Sequence, residues 1–179
     1  MKIEHILPAD IERRSMEIIE AELGPIQLPP DEKDIIKRVV HTSADFDYVR
    51  NLRFSEGAVG KALEALQKGC TIVTDTNMAC MGISQPGLTK LGCHKVCFMA
   101  DDDVAAAARE KGTTRAQASM DKAAGLTGPL IIAVGNAPTA LLRLKELIEA
   151  GQIAPALIIG VPVGFVNVEY AKEVIMEAG

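Results

Sequence analysis

The segment Val39–Tyr48, with the sequence VVHTSADFDY, combines residue types that acid–base chemistry needs. His41 follows two valines and precedes a threonine, a serine and two aspartates, so an imidazole stands beside hydroxyl and carboxylate groups. The pKa of an imidazole lies near neutrality, and burial or a neighbouring carboxylate shifts it readily. The segment predicts that a helix ends at His41 and that apolar neighbours partly enclose the imidazole. Two interpretations are open here: a general acid or base, and a helix-terminal histidine that only packs and caps.

Three further stretches place small and polar residues directly after predicted strands, where parallel sheets bind their ligands. They are Thr74–Met78 (TDTNM), Gly135–Thr139 (GNAPT) and Pro162–Asn167 (PVGFVN). The GNAPT segment leads into a helix, so its backbone N–H groups could hold a carboxylate or a phosphate. It contains neither the GxGxxG pattern nor a P-loop, which weakens the case for a nucleotide site. It is equally compatible with a plain strand-to-helix turn.

Within the first stretch, Asp75 and Asn77 are candidate ligand contacts. A carboxylate at this strand end could orient the histidine or accept a hydrogen bond from a ligand, and it could equally cap the following turn. The segment Thr113–Asp121 (TTRAQASMD) adds a cation, because Arg115 falls in the first turn of a predicted helix with threonine N-caps. An arginine there opposes the helix dipole, so either an anionic ligand compensates it or it is a solvent-exposed side chain. The pair Arg13–Arg14 has the same ambiguity.

Composition limits the class of protein. The formal net charge is −5 and aromatic residues make up 3% of the chain, which argues against nucleic acid and anionic membranes as partners. No apolar run is long enough to span a bilayer, and Met1–Glu12 lacks the apolar stretch of a signal peptide, so we expect a soluble cytoplasmic protein. The four cysteines lack CxxC spacing and are expected to be buried free thiols. His5 and His94 are interpreted as surface and strand residues, and Asp101–Asp103 as negative charge at a helix start.

The first 68 residues are predicted to be mostly helical, because their apolar positions recur at helical spacing and are bounded by Pro and Gly. The predicted helices run from Pro8 or Asp10 to Gly24–Pro25, from Pro29–Pro30 to His41, and over about Glu56–Lys68 before Gly69. The second of these helices therefore delivers the histidine of the VVHTSADFDY segment.

From residue 70 onward, apolar β-branched runs alternate with helical patterns. Strands that are covered on both faces read as continuous apolar runs, so this part predicts a parallel sheet between two helix layers. The predicted strands are Thr71–Thr74, Lys95–Met99, Leu130–Val134 and Ala156–Val161. The predicted helices are Leu88–Leu91, Val104–Lys111, Arg115–Ala124, Thr139–Ala150 and Asn167–Ala178. We therefore expect one α/β domain over residues 1–179 with a helical N-terminal arm.

The chain contains no Ser-His-Asp elbow, no HExxH motif and no paired-cysteine nucleophile. We therefore expect a reaction that a single acid–base residue can catalyse, without a metal or a cofactor. Six segments in the same order resemble the precorrin-8X methylmutase family of corrin-ring biosynthesis. They are Arg13–Ile19 (RRSMEII), Val39–Tyr48 (VVHTSADFDY), Thr71–Met78 (TIVTDTNM), Thr113–Ala123 (TTRAQASMDKA), Gly135–Leu144 (GNAPTALLRL) and Ala156–Asn167 (ALIIGVPVGFVN).

The resemblance implies a flavodoxin-like, three-layer α/β/α fold and a homodimer. It implies an isomerase that acts on a tetrapyrrole, precorrin-8X or cobalt-precorrin-8, and moves a methyl group between adjacent carbons of ring C. The product is then hydrogenobyrinate or cobyrinate. The family's catalytic histidine falls on His41, and its substrate-contacting arginine and serine fall on Arg115 and Ser15.

The expected site therefore has one catalytic residue, His41, whose imidazolium acts as general acid toward a ring nitrogen. Cationic and loop residues anchor the substrate carboxylates, and apolar side chains flank the flat macrocycle. The expected substrate-binding residues are Arg14, Ser15, Thr42, Asp75, Asn77, Met78, Arg115, Gly135, Asn136, Thr139, Val163, Gly164 and Phe165.

Family chains usually continue past the position of Gly179 with another strand, a basic glycine-rich stretch and a final helix. We therefore expect the C-terminal edge strand to be missing beside Ala156–Val161, which leaves an apolar edge open unless a partner subunit covers it. Two alternatives to the isomerase are open. One is a non-catalytic corrinoid-binding or carrier protein with the same pocket, and the other is an unrelated nucleotide-binding α/β enzyme.

Overall fold

The computed structural model describes residues 6–178, and the chain forms two compact units, Met1–Val59 and Gly60–Gly179. His5 and the beginning of the Met1–Glu12 segment lie outside the described residues. The expectation of a single domain over the whole chain stays a prediction.

The first unit is a helical arm in which two helices pack side by side. A short 3-10 helix, Pro8–Asp10, is followed by α1 (Ile11–Leu23), α2 (Pro30–Ser43) and the single-turn α3 (Tyr48–Asn51). Gly24 ends α1 with a φ of 60°, which glycine adopts at little cost, and Pro30 opens α2. The buried apolar core of the unit consists of Ile19, Leu23, Ile36 and Val40.

The second unit contains a four-stranded, all-parallel sheet. Its strands are β1 (Thr71–Thr74), β2 (His94–Val96), β3 (Leu130–Val134) and β4 (Leu157–Gly160), in the order β2-β1-β3-β4. The register pairs Val73 of β1 with Val96 on one side and with Ile132 on the other. This order matches the first four strands of a flavodoxin-like sheet, so the predicted fold class is confirmed.

Helices cover both faces of this sheet. They are α4 (Ala58–Gln67), α5 (Asn77–Gly82), α6 (Gln85–Leu91), α7 (Asp102–Lys111), α8 (Arg115–Ala123), α9 (Pro138–Glu149) and α10 (Val168–Met176). On one face, Ile132 of β3 belongs to a buried cluster with Leu141 of α9. On the other face, the neighbouring Ile131 packs with Ala65 of α4 and Leu88 of α6. Successive side chains of a strand point to opposite faces, so β3 is buried on both sides and three layers result.

Strands β1 and β3 have the bounds that the sequence predicts, whereas the two outer strands are shorter than predicted. The run Lys95–Met99 is observed as His94–Val96, because its ladder with β1 ends at the Val73–Val96 pair. The run Ala156–Val161 is observed as Leu157–Gly160. Each outer strand pairs with one neighbour only, and the strand ends where that pairing ends. The apolar run in the sequence continues beyond this point, which is why the prediction was too long.

All four cysteines are free, as predicted, with Cys70 and Cys93 buried and Cys80 and Cys97 half-buried. Within residues 6–178, no cluster of three or more His, Cys, Asp or Glu side chains could hold a metal ion. None of the described helices has both the length and the apolar character that crossing a membrane requires.

Candidate active site

Strands β1 and β3 define the topological switch point of the sheet. From β1 the chain continues to β2 on one side, and β3 lies on the other side of β1. In sheets of this type, ligands bind beyond the carboxyl ends of the strands at this point. Asp75 directly follows β1 and Gly135 directly follows β3, so the two predicted loops meet at the same edge of the sheet.

The carboxylate of Asp75 is buried and is bonded to the loop after β3. Its Oδ1 accepts a hydrogen bond from the backbone N–H of Gly135 at 3.0 Å. Its Oδ2 accepts two more, from the N–H of Asn136 at 2.8 Å and of Ala137 at 2.7 Å. Hydrogen bonds to an ionised carboxylate are among the stronger ones in proteins. A side chain of the protein itself therefore fills the predicted anion position at the start of the GNAPT segment.

The hydrogen bonds of Asp75 contradict two expectations, one for the N–H groups of the GNAPT segment and one for Asp75 as a cap. The N–H groups of Gly135, Asn136 and Ala137 are not available to a substrate carboxylate, because each already donates to Asp75. Asp75 does not cap the turn after β1 either. Thr76 is the N-cap of α5, and its hydroxyl accepts a hydrogen bond from an N–H of that helix. Asp75 thus shapes the loop after β3, whereas Gly135 and Asn136 keep exposed surface toward solvent.

Arg115 lies in the first turn of α8, as the sequence predicts, and its side chain is exposed. Arg115 is the first residue of the helix, and it has no hydrogen-bond or ion-pair partner among residues 6–178. Thr114 caps the helix in a capping box: its hydroxyl accepts from the Gln117 N–H at 3.2 Å, and its N–H donates to Gln117 Oε1 at 3.1 Å. The guanidinium of Arg115 is therefore available to bind an anion.

Large apolar side chains are exposed in the loops after β1 and β4. Met78 is 84% exposed, Val163 is 72% exposed and Phe165 is fully exposed. Gly164 has a φ of 153°, a conformation that other residues rarely adopt. Asn77 is exposed beside Met78. Exposed apolar patches often mark ligand-binding or interaction surfaces, and these side chains are accessible to a flat apolar ligand.

His41 lies inside α2 rather than at its end. The helix continues to Ser43 and stops at Ala44, which has a left-handed φ of 55°. The hydroxyls of Thr42 and Ser43 donate to the carbonyl groups four residues back, at 3.0 and 2.8 Å, so they bond within the helix. His41 is exposed, and the expectation that apolar neighbours enclose it is wrong, because Val40 points into the core and His41 does not.

Glu12 of α1 is an acidic neighbour of His41 within the same unit. An ion pair joins Glu12 to Arg38 of α2. Arg38, through its hydrogen bond and its charge, holds the pKa of Glu12 below its usual value, and the charge of His41 adds to this shift. The imidazole of His41 therefore lies in the field of an ionised carboxylate.

Ser15 and Arg14, the other predicted contacts on α1, have partners within their own helix. Ser15 Oγ donates to the carbonyl of Ile11 at 2.9 Å. Arg14 is half-buried, and its Nη1 lies 3.6 Å from Oε2 of Glu17. Contact of either side chain with a ligand stays a prediction.

Lys122 binds two aspartates beside the loop after β2, and no motif in the sequence marks it. Its Nζ donates to Asp101 and to Asp103, each at 2.7 Å, and lies 5.1 Å from the centre of the Phe98 ring. Hydrogen bonds to the two carboxylates raise the pKa of Lys122, and Lys122 in turn lowers the pKa of Asp103. The first turn of α7 contains Asp103, which agrees with the interpretation of these aspartates as charge at a helix start.

Two surface cavities have no predicted site residue in their walls. One of about 200 Å³ is lined by Lys111, Thr113, Gln117, Asp121, Arg143 and Glu146. The other, of about 280 Å³, is lined by Glu22, Leu23, Ile26, Phe46, Asp47, Val49 and Arg50. Neither of these two cavities therefore contributes to the candidate site, whose loops are supported by the hydrogen bonds of Asp75 and Thr114.

A doubly wound parallel sheet with polar loops at its switch point is typical of α/β proteins that bind a small molecule there. Comparison with known families identifies the group to which this chain belongs. The model of the precorrin-8X methylmutase family matches residues 10–179. The chain is therefore a member of the precorrin-8X methylmutase family, and the resemblance stated from the sequence is confirmed.

Individual relatives agree with this assignment. A cobalt-precorrin-8 methylmutase from Leptospira interrogans is 42% identical over 173 residues, which cover 96% of this chain and 79% of the relative. One from Priestia megaterium is 39% identical over 168 residues, or 94% and 75% of the two chains. A precorrin-8X methylmutase from Pseudomonas aeruginosa is 36% identical over 165 residues, or 92% and 79%. Methylmutases are isomerases that move a methyl group within one molecule, and those of this family act in cobalamin biosynthesis.

Solved structures show the same fold. The crystal structure of precorrin-8X methylmutase from Thermus thermophilus gives a TM-score of 0.86 at 42% identity, covering 96% of this chain and 82% of that one. A precorrin-8X methylmutase related protein gives a TM-score of 0.78 at 32% identity, covering 88% and 82%.

Proposed function

We propose that this chain is an isomerase that moves a methyl group between adjacent ring C carbons of precorrin-8X or cobalt-precorrin-8, giving hydrogenobyrinate or cobyrinate. The observation that supports it most is the extent of the family match, which covers residues 10–179 of this chain. In the cobalt case the metal belongs to the substrate.

His41 is the proposed general acid. A methyl shift within one molecule needs no nucleophile from the protein, but it requires polarisation of the conjugated ring system. A proton held against a ring nitrogen supplies this polarisation. The exposed imidazole of His41 supports the role, because a bulky ligand can reach it.

The proposed anchors match the chemistry of the substrate, which is a flat ring with several carboxylates. Arg115, exposed at the start of α8, suits a bidentate carboxylate contact, and Arg14 is a second cation. Met78, Val163 and Phe165 are exposed apolar groups that suit the faces of the macrocycle. The remaining proposed contacts are Ser15, Thr42, Asn77, Gly135, Asn136 and Gly164. Two expected contacts are not among them, because the buried carboxylate of Asp75 binds the loop after β3 and the hydroxyl of Thr139 contacts Thr114. Local cations suffice for these contacts although the chain has a net charge of −5.

The proposal includes a homodimer in the cytoplasm. Exposed apolar residues of β4 and the loop that follows it, Ile159 and Val161, support an interface between two copies. Light scattering of the purified chain at micromolar concentration tests this directly, and a monomer mass contradicts it.

Incubation of the purified chain with precorrin-8X, and separately with cobalt-precorrin-8, tests the activity by the absorption spectrum. A changed chromophore is expected, since the shift alters the conjugation of the ring. His41→Ala should slow the change by about 10²- to 10⁴-fold, the usual contribution of a general acid or base, while binding is retained.

His94→Ala is the matched control, because His94 is an exposed histidine at the start of β2 and is not part of the proposed site. It should convert substrate at the wild-type rate. A wild-type chain that binds the pigment without changing its spectrum is a corrinoid-binding or carrier protein instead. Stabilisation by nucleotides and not by tetrapyrroles points to the nucleotide-binding alternative.

A further inference from the structure

Two threonine hydroxyls join the starts of α8 and α9. The Oγ1 atoms of Thr114 and Thr139 lie 3.1 Å apart, although 25 positions separate the residues in the chain. Thr114 is the N-cap of α8 and directly precedes Arg115, and Thr139 is the second residue of α9. The contact therefore links the residue before the proposed cationic anchor to the segment that follows β3.

One arrangement of protons satisfies every contact of the Thr114 hydroxyl. It accepts from the Gln117 N–H at 3.2 Å and from the Thr139 O–H at 3.1 Å. It donates its own proton to Gln117 Oε1 at 3.2 Å, and the same Oε1 accepts from the Thr114 N–H. In this arrangement Thr139 supplies a hydrogen bond that comes from outside the capping box.

The Thr139 end of the link is fixed independently of α8. Asp75 binds three successive N–H groups of the loop Gly135–Ala137, and Thr139 follows two residues later, in the first turn of α9. The segment that Asp75 holds after β3 therefore leads directly to the residue that contacts Thr114.

We propose that Thr139 is a positioning residue for Arg115: its hydroxyl holds the first turn of α8, and with it the backbone from which the Arg115 side chain reaches a substrate carboxylate. The inference rests on the proposed function, because it requires Arg115 to bind the tetrapyrrole. A helix start that is fixed before binding loses less conformational freedom when Arg115 binds a ligand, so loss of the hydrogen bond should weaken binding and leave the chemical step intact. If the hydrogen bond only stabilised the fold, its loss would lower the unfolding temperature and leave binding unchanged.

Thr139→Val removes the hydroxyl and keeps the shape of the side chain, and Thr139→Ser keeps the hydroxyl. Thr113→Val is the matched control, since Thr113 is exposed and its hydroxyl has no hydrogen-bond partner among the described residues. We expect Thr139→Val to raise the Kd for hydrogenobyrinate and the KM of the methyl shift about two- to tenfold, with kcat within about twofold of wild type. Thr139→Ser and Thr113→Val should bind like the wild type.

A double-mutant cycle with Arg115→Gln tests whether Thr139 acts through Arg115. In the Arg115→Gln background, Thr139→Val should change the Kd by less than about twofold. Additive effects, or a Thr139→Ser variant as weak as Thr139→Val, overturn the inference. A wild type that converts substrate while Thr139→Val binds normally overturns this inference alone. A wild type that neither binds nor converts a tetrapyrrole overturns the proposed function and the inference together.

Discussion

Asp75 and Asn136 are 61 positions apart in the chain, yet Oδ2 of the first accepts a hydrogen bond from the backbone N–H of the second at 2.8 Å. The bond crosses the switch point between β1 and β3, where sheets of this kind bind their ligands. A buried carboxylate with three backbone donors favours this loop shape, because a different shape would break hydrogen bonds that a buried charge needs. The loop at the candidate site is therefore formed before any substrate arrives.

Asp75→Asn should destabilise the protein by about 1–3 kcal/mol, because the new amide turns an N–H donor toward backbone donors and leaves at least one of them unsatisfied. Urea unfolding measures the loss. Asp45→Asn is the matched control, since Asp45 also accepts a backbone N–H, from Asp47 at 2.8 Å, but in an exposed turn. That change should stay within about 0.5 kcal/mol of the wild type. Equal free energies of unfolding for the two variants would show that the hydrogen bonds of Asp75 do not stabilise the fold.

Cys70 should resist alkylation in the folded protein. Burial raises its pKa to about 11, its neighbour Cys93 adds to this shift, and the two sulfur atoms lie 3.8 Å apart. The thiolate is the reactive form, so at pH 8 little of Cys70 can react. We expect iodoacetamide to modify neither Cys70 nor Cys93 until denaturant is added, as measured by mass spectrometry of peptides. Half-buried Cys80 and Cys97 are internal comparators that should react first, and equal rates for all four thiols contradict the prediction.

Acid should weaken the pairing of α1 with α2. Hydrogen bonds from Lys33 and Lys37 lower the pKa of Glu20 from 4.5 to about 2. A lowered folded-state pKa means that the ion pairs stabilise the fold above pH 4.5 and that this contribution disappears as the pH falls toward 2. Glu20→Gln should therefore lower the Tm at pH 7 and have no effect near pH 2.

Glu22→Gln is the control for this pH series, because Glu22 lies on the same helix and has no ion-pair partner among the described residues. Thermal unfolding followed by circular dichroism at pH 7, 4 and 2 compares the three proteins. A Tm difference between wild type and Glu20→Gln that persists unchanged at pH 2 contradicts the assignment of the shift to Glu20.

The sequence predicted the central strands well because their physical signal is local. The runs Thr71–Thr74 and Leu130–Val134 are bounded by turn residues, and both strands pair on two sides. The outer strands were overestimated, since an apolar run does not show where pairing with a neighbour stops. The sequence also placed the end of α2 too early, at His41 instead of Ser43, because composition does not show where hydrogen bonds end. Thr42 and Ser43 look like loop residues by composition, but their hydroxyls bond back to helix carbonyls.

The candidate site was predictable only in part. The family and the strand-end loops follow from the sequence, and so does the position of Arg115 in the first turn of α8, because the threonines before it are typical N-cap residues. The role of Asp75 could not be predicted from the sequence, because its hydrogen-bond donors come from a loop 60 to 62 positions away. The link between Thr114 and Thr139 depends on how α8 and α9 pack, which no local pattern contains.

The strand order also determines when the strands can pair while the chain is being translated. The first strand made, β1, becomes an inner strand, and β3, its partner on one edge, is translated only after β2 and two further helices. At a translation rate of about 5–20 residues per second, the nascent chain spends several seconds with that apolar edge unpaired. For that interval Asp75 also lacks its three donors, so the edge of β1 and the loop after it stay open to non-native pairing until β3 is made.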